Sequence, residues 1–244
     1  MIHLDQRGRI ALVTIDRPER RNAVDHEALE QLTVILDSAV ADVPGTRVVV
    51  LTGSGGHFCA GADLTGVEDA GFASVLRGVL DRLRDAPMPT IAAVEGAALG
   101  AGSQLAIACD LRVATPSARF GIPAAKLGLM VDHWTVQRLA LLAGHGPARA
   151  MLLAAEIVDG DSAVRLGLAQ RAGDLGDALA WADDIANLAP LTIQGHKLML
   201  NRLEPDVGRD PEVAAAFARA WDSNDLREGI TAFHERRPPE FSGE

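Results

Sequence analysis

The apolar positions of this 244-residue chain fall into two successive rhythms. In the first half, short aliphatic and β-branched runs bounded by polar or glycine-rich stretches predict strands at Ile10–Ile15, Arg47–Thr52 and Leu111–Ala114. A further strand opens the segment Thr90–Ala108, which then turns and continues as a helix. Leu29, Leu32 and Leu36 recur at helical spacing behind Asp25, a residue suited to cap a helix N-terminus. After a polar stretch from Asp63 to Phe72, a second helix over Phe72–Asp85 carries Val75, Leu76, Val79 and Leu83 on one side. Strands alternating with helices predict an α/β layer architecture. From Thr135 onward helical spacing dominates, at Val136–Leu142, Ala148–Ala155, Leu179–Leu188, Ile193–Leu200 and the Ala-rich Val213–Trp221. This shift divides the chain into a core over 1–189 and a helical region over 190–244, with the boundary at Pro190.

Two glycine-rich turns stand out from this pattern. In PTIAAVEGAALGAGSQLAIACD (Pro89–Asp110), Gly96, Gly100 and Gly102, with Ala97, Ala98 and Ala101, remove side-chain bulk between a buried strand and a helix start. A ligand can then approach the bare backbone N–H groups. VVVLTGSGGHFCAGADL (Val48–Leu64) repeats the design around Ala60, Gly61 and Ala62. Two convergent amides are the minimum for gripping a polarised carbonyl oxygen.

The two turns, with RPERRNAV (Arg17–Val24) before them and REGITAFHERRPPEF (Arg227–Phe241) after them, resemble the crotonase, or enoyl-CoA hydratase/isomerase, superfamily in order and spacing over nearly the whole chain. The resemblance implies a spiral core of ββα units with a C-terminal helical trimerisation region, although the sequence itself shows no repeat. It implies an acyl-CoA thioester as ligand, a homotrimer or dimer of trimers as assembly, and no cofactor beyond the coenzyme A of the ligand. The two amides that would hold the thioester oxygen are those of Ala62 and Ala101. Ala60, Asp63, Leu64, Gly100, Met130 and Trp134 fall in the blocks that line the ligand, the Trp134 indole suiting an acyl chain. Phe233 and Arg236 match positions that stack adenine and contact phosphate, often from a neighbouring subunit, and Arg20 and Arg21 add positive charge near the nucleotide. Glu19 and Thr65 stand where hydratases often carry lysine.

The chain departs from the family where proton transfer is performed. Hydratases carry glutamate at the positions occupied here by Gln104 and Ala124, and neither residue can exchange a proton near neutrality. Asp132 in LGLMVDHWTVQRL matches a catalytic aspartate of some isomerase and dehalogenase branches; equally, it reads as the N-cap of the helix that follows. His133 beside it reads as a surface or cap residue, and His57 as solvent-facing. ARAMLLAAEIVDG (Ala148–Gly160) and GLMVDHW resemble a branch from mycolic-acid-making bacteria that lacks both glutamates.

Composition narrows the remaining choices. Hydrophobic residues make up 48%, but aromatics only 4% and tyrosine none, so the interior is aliphatic and tyrosine chemistry is excluded. A net charge of -10, from 33 acids and 23 bases, argues against a nucleic-acid surface. Cys59 and Cys109, the two cysteines, sit among small apolar residues without metal spacing and read as buried free thiols. No apolar run reaches the roughly 18 residues of a membrane span, and MIHLDQRGRI lacks a signal-peptide core, so a cytoplasmic location is expected. Three functions follow as expectations: an acyl-CoA binder with little or no hydratase turnover; an isomerase or weak hydratase using Asp132; and a serine hydrolase through Ser103. The last lacks both a G-x-S-x-G elbow and a placed histidine base.

Overall fold

The computed structural model describes residues 1–43, 45–65, 70–203 and 210–243; part of the polar stretch read between Asp63 and Phe72, residues 66–69, lies outside them. A six-stranded sheet has the order β1(Ile2–Arg7), β2(Ile10–Ile15), β3(Val48–Gly53), β4(Thr90–Val94), β6(Leu111–Ala114), β9(Arg171–Ala172). The β1–β2 hairpin is antiparallel and every other neighbour parallel. Burial on both faces explains why β2, β3 and β4 read as continuous apolar runs. Ala11, Val13, Ile15, Val49, Leu51, Ala92 and Val94 pack into a core with α1(His26–Ala41) and α2(Ala70–Asp85). Alternate residues Ile10, Leu12, Val48, Val50, Ile91 and Ala93 face Ala178, Ala182 and Ala186 of α7(Leu175–Ala186).

A second sheet of β5(Ala97–Leu99), β7(Arg119–Gly121) and β8(Val158–Asp159) begins where β4 turns. It holds the two glycine turns together. Phe58 N–H donates to Glu95 O at 2.8 Å, Cys59 N–H to Ala97 O at 2.8 Å, and Leu99 N–H to Cys59 O at 3.0 Å. α3(Ala101–Ala108) leaves this seam fully buried, so close to the first turn that a Cβ on Gly102 would lie 2.0 Å from Cys59 O. Beyond it lie α4(His133–Ala143), α5(His145–Leu153) and α6(Gly160–Arg165).

Two buried cations fasten this core. Arg112, between the sheet and α3, donates to the carbonyls of Leu168, Cys109, Ala106 and Asp110 and to Gln170 Oε1, and burial lowers its pKa to about 10. α8(Pro190–Asn201) is held by Lys197, whose Nζ donates to Asp110 Oδ2 at 2.7 Å and to Met88 O at 3.0 Å. The same carboxylate accepts the Thr90 N–H at 2.8 Å. Removing the ammonium strands a carboxylate that is four-fifths buried. Lys197→Ala is therefore expected to cost about 3 kcal/mol in urea unfolding, the lower end for breaking a buried pair from one side.

α9(Pro211–Asp222) and α10(Asn224–Glu235) close the chain, and α10 packs on a 3-10 turn at Pro123–Leu127. The tail after α10 folds back on it: Arg237 pairs with Glu228 and Glu235, and Asp225 accepts the Ser242 N–H at 2.7 Å. The Arg237 hydrogen bond pulls the Glu228 carboxyl down to about 2. Because a lowered acid pKa stabilises above the unfolded value and is lost on descent, this clasp holds at neutral pH and opens only in strong acid.

Candidate functional site

The two glycine turns and the C-terminal helices enclose a cavity of about 280 Å³. Ala60, Gly61, Ala62 and Leu64 from the first turn, and Leu99, Gly100 and Ala101 from the second, form one wall. Gly61, at φ +120°, allows the approach: a Cβ there would lie 3.1 Å from Leu99 O and 4.0 Å from Ala101 N. The chain path spends neighbouring amides but not these two. Val24 N–H donates to Gly61 O and Asp63 N–H to Val24 O, while Gly100 N–H donates to Gly121 O. Among the described residues the N–H groups of Ala62 and Ala101 have no protein acceptor, and both residues line the cavity. Ala101 is also the first residue of α3, where the helix dipole favours negative charge.

The polar part of the cavity lies one helical turn further along α3. Gln104 is 6% exposed, and its Nε2 donates to Thr135 Oγ1 at 2.8 Å and Asp132 Oδ2 at 3.4 Å. Asp132 is the N-cap of α4, and it also lines the cavity. Its Oδ1 accepts from Thr135 N–H at 2.9 Å and Arg77 Nη1 at 3.4 Å, and its Oδ2 from Thr135 Oγ1 at 3.0 Å as well as from Gln104. Four donors thus converge on one carboxylate. It is the sole ionisable side chain among the described lining residues. Ala124, on the 3-10 turn, faces the cavity with a methyl group alone.

The remaining walls are apolar: Phe72, Ala73 and Leu76 of α2, then Leu127, Leu129, Met130 and Val131. Phe217 and Trp221 of α9 and Phe233 of α10 complete them. Trp221 is fixed by Nε1 donating to Met130 O at 3.0 Å, with Phe217 tilted against it at 5.7 Å between ring centroids. Phe217 and Trp221 were not singled out from the sequence, although their spacing of four puts them on one helix face.

Several candidates lie away from the lining. The Trp134 indole packs beneath guanidinium groups, with Arg77 at 4.4 Å and Arg84 at 5.8 Å from its ring centroid, instead of facing the cavity. Asp63 is buried beside Arg17, with Arg20 at 3.9 Å and a hydrogen bond from Thr65 Oγ1 at 2.6 Å. Burial opposes its ionisation, but the Thr65 hydrogen bonds and the two arginines prevail and lower its pKa. Arg21 is exposed, and its carbonyl accepts from Ala60 N–H at 2.9 Å, which ties it to the cavity wall. Arg236 caps α10 in the left-handed region one turn beyond Phe233, its side chain exposed and in no ion pair among the described residues. Glu19 is exposed in a 3-10 turn at Pro18–Arg20.

His57 differs from the sequence expectation. It is half-buried, with Nδ1 accepting the Ala97 N–H at 3.1 Å, so it extends the seam between the turns. His133 opens α4 and meets Gln137 at 3.4 Å. Ser103 is buried with its hydroxyl spent: Oγ donates to Ala98 O at 2.6 Å and accepts from Gly121 N–H at 3.0 Å. That removes the geometric basis for a serine nucleophile.

A family model described as Enoyl-CoA hydratase/isomerase matches residues 5–244. This chain belongs to the enoyl-CoA hydratase/isomerase family. It is 46% identical to the "Probable enoyl-CoA hydratase echA6" of Mycobacterium leprae over 100% of both chains. It is 33% identical to the short-chain-enoyl-CoA hydratase of Clostridium acetobutylicum, over 96% of this chain and 94% of that one. Among solved structures, an enoyl-CoA hydratase/isomerase from Pseudoalteromonas atlantica superposes with a TM-score of 0.89 at 29% identity, covering 99% of each chain. The α/β fold read from the alternation of strands and helices is that of this family. No described helix is long and apolar enough to cross a membrane.

Cys59 and Cys109 are buried free thiols, and burial pushes both up to about 12. Their protons stay on in the folded chain where the unfolded chain would release them near pH 8.5. Stability is therefore untouched by these groups below that pH and falls above it, by about 1.4 kcal/mol per thiol per pH unit until pH reaches about 12. Urea midpoints from pH 8 to 11 should fall more steeply for the wild type than for Cys59→Ala/Cys109→Ala.

Proposed function

We propose that this chain binds fatty acyl-CoA thioesters, within fatty acid metabolism, and holds them with little or no hydration. The Ala62 and Ala101 amides grip the thioester oxygen, and the apolar walls receive the acyl chain. Arg20, Arg21 and Arg236 meet the phosphates, while Phe233, at a position that the resemblance assigns to adenine stacking, here closes the apolar wall of the same cavity. The observation that carries the reading is the state of Asp132. Its two oxygens already accept two donors each, so the one acid among the described lining residues has no lone pair left for a substrate proton. Hydration needs a base for water and an acid for the α-carbon, each worth about 10²- to 10⁴-fold, and Gln104 and Ala124 supply neither.

A second reading keeps Asp132 as the acid/base of a double-bond isomerase, because its side chain is 30% exposed and lines the cavity. One experiment separates them. Crotonyl-CoA and a longer enoyl-CoA are titrated by calorimetry while conjugated absorbance is followed. Heat of binding without loss of absorbance is the expected result, and rapid hydration overturns it. Shift of a 3-enoyl-CoA double bond that stops in Asp132→Ala, with binding kept, would establish the isomerase. For assembly we infer a homotrimer or dimer of trimers in which 190–244 contributes contacts, since Leu191, Leu198 and Leu200 of α8 are exposed. The reduced, buried thiols suit a cytoplasmic location.

A further inference from the structure

The turns that carry the Ala62 and Ala101 amides are joined by a short parallel ladder in which one rung is a side chain. Cys59 and Ala98 form an isolated parallel bridge, with Cys59 N–H donating to Ala97 O and Leu99 N–H to Cys59 O. One step back along such a ladder, the Ala97 N–H would donate to the carbonyl of His57. That carbonyl is already taken. It accepts from Nδ2 of the fully buried Asn22, which also donates to Ser54 O while its Oδ1 accepts the Arg17 N–H. The Ala97 N–H turns instead to His57 Nδ1 at 3.1 Å. A backbone N–H only donates, so the ring nitrogen that receives it is the bare one. Gly96 makes room for the ring: at φ +54°, an added Cβ would lie 2.5 Å from His57 Nδ1 and 2.2 Å from Gly56 O.

We propose that His57 is a positioning residue for the thioester grip, its imidazole supplying the displaced rung and so setting how the Ala62 and Ala101 amides stand to each other. Ala62 and Ala101 each lie three residues beyond a member of the Cys59–Ala98 bridge, and the His57–Ala97 bond lies on the other side of it. Joined at the bridge alone, the two turns can pivot about it, and a pivot moves the two amides relative to each other. A bond on the opposite side resists that motion. The Phe58 N–H to Glu95 O bond at 2.8 Å lies on that side as well, but it leaves the Ala97 N–H without an acceptor once the ring is gone. His57 is not one of the described residues that line the cavity, so it acts through the seam and not on the ligand. A carbonyl oxygen is polarised by two donors only when both reach it in the same geometry, which makes the grip sensitive to small shifts of the seam.

This inference rests on the acyl-CoA reading above, and the measurements separate the two. Calorimetry follows butyryl-CoA binding, and difference infrared spectroscopy reads the C=O stretch of bound butyryl-CoA isotope-labelled at its thioester carbon. In the wild type the stretch is expected below its value in free butyryl-CoA, since two donors weaken the double bond. His57→Phe keeps a ring and removes the acceptor; most of that displacement should be lost and affinity should fall about 5-fold, the loss of one net hydrogen bond. His57→Asn puts a carbonyl oxygen in the place of Nδ1 and should restore both. A side chain that only held the fold together would move the urea midpoint and leave the stretch of the bound ester where it was. Failure of the wild type to bind overturns the acyl-CoA reading itself. Binding with an unmoved stretch in the wild type overturns the amide grip and this proposal with it, and a displaced stretch that is the same in all three chains overturns the role of His57 alone. Nitrogen NMR of the wild-type protein tests the rung whether or not the variants fold: His57 Nδ1 is expected to couple across the hydrogen bond to the Ala97 amide, and a protonated or uncoupled Nδ1 overturns the proposal.

Discussion

Gly102→Ala is expected to destabilise the protein by about 3 kcal/mol or more and to abolish acyl-CoA binding, although it adds one methyl group to a helix. An added Cβ would meet Cys59 O at 2.0 Å and the Cys59 carbonyl carbon at 2.9 Å. Both are backbone atoms in the seam that holds the two turns, so no side chain can swing aside. Relief requires α3 to back away from the first turn, which separates the Ala62 and Ala101 amides. Overpacking of this kind reaches or exceeds the top of the usual 1–3 kcal/mol range. Gly78→Ala supplies the opposite sign. It lies in α2, where a Cβ would meet only the flexible end of Arg82, at 3.5 Å. There the helix-propensity gain of up to about 1 kcal/mol is kept. Paired urea unfolding curves and butyryl-CoA titrations check both, and a stable, ligand-binding Gly102→Ala would mean the seam is not what sets the donor spacing.

What the chain reveals before folding depends on whether an element's cause is local. β2 and β6 have the limits read from their apolar runs, and Asp25 caps α1 by accepting the Ala28 N–H. β1 escaped notice because it is an edge strand with only Ile2 buried. β5 lies inside what reads as a turn, since its three residues become a strand only against Cys59 and β7. α6 was missed as well, a single short helix begun by the Asp159 cap. In the site, the glycine turns pointed to two bare amides, and the family resemblance assigned them to Ala62 and Ala101, whose N–H groups have no protein acceptor among the described residues. The saturation of Asp132 was not legible, because Arg77, Gln104 and Asp132 are brought together from three separate helices or caps. Nor was the inward face of α9 and α10, read by resemblance as an oligomerisation region, while Phe217, Trp221 and Phe233 line this chain's own cavity. The absence of tyrosine and scarcity of aromatics make that cluster informative: three of nine Phe and Trp residues gather at one cavity wall, where large rigid rings close off water.

If the chain binds acyl-CoA without hydrating it, as proposed, installing carboxylates should create hydration. Gln104→Glu/Ala124→Glu is expected to raise crotonyl-CoA hydration by about 10²-fold or more, because each positioned acid or base contributes about 10²- to 10⁴-fold and the proposed reading has the Ala62 and Ala101 amides hold the thioester oxygen. The single Ala124→Glu should recover far less, having a base without its partner. The double variant carries its own obstacle. A glutamate at position 104 replaces a donor to Asp132 Oδ2 with a second negative charge at hydrogen-bonding range, and two carboxylates that close cannot both ionise. One keeps a proton into the neutral range, so the hydration rate of the double variant should fall as pH rises through that titration. Adding Asp132→Asn removes the repulsion while its side-chain oxygen still accepts the Thr135 N–H at the start of α4. With the repulsion gone the carboxyl at position 104 releases its proton at lower pH, so the triple variant should show the same fall in rate displaced toward acid. A double variant that binds crotonyl-CoA as the wild type does, yet gains no turnover, would show that the thioester is held with its reacting carbons out of reach of positions 104 and 124.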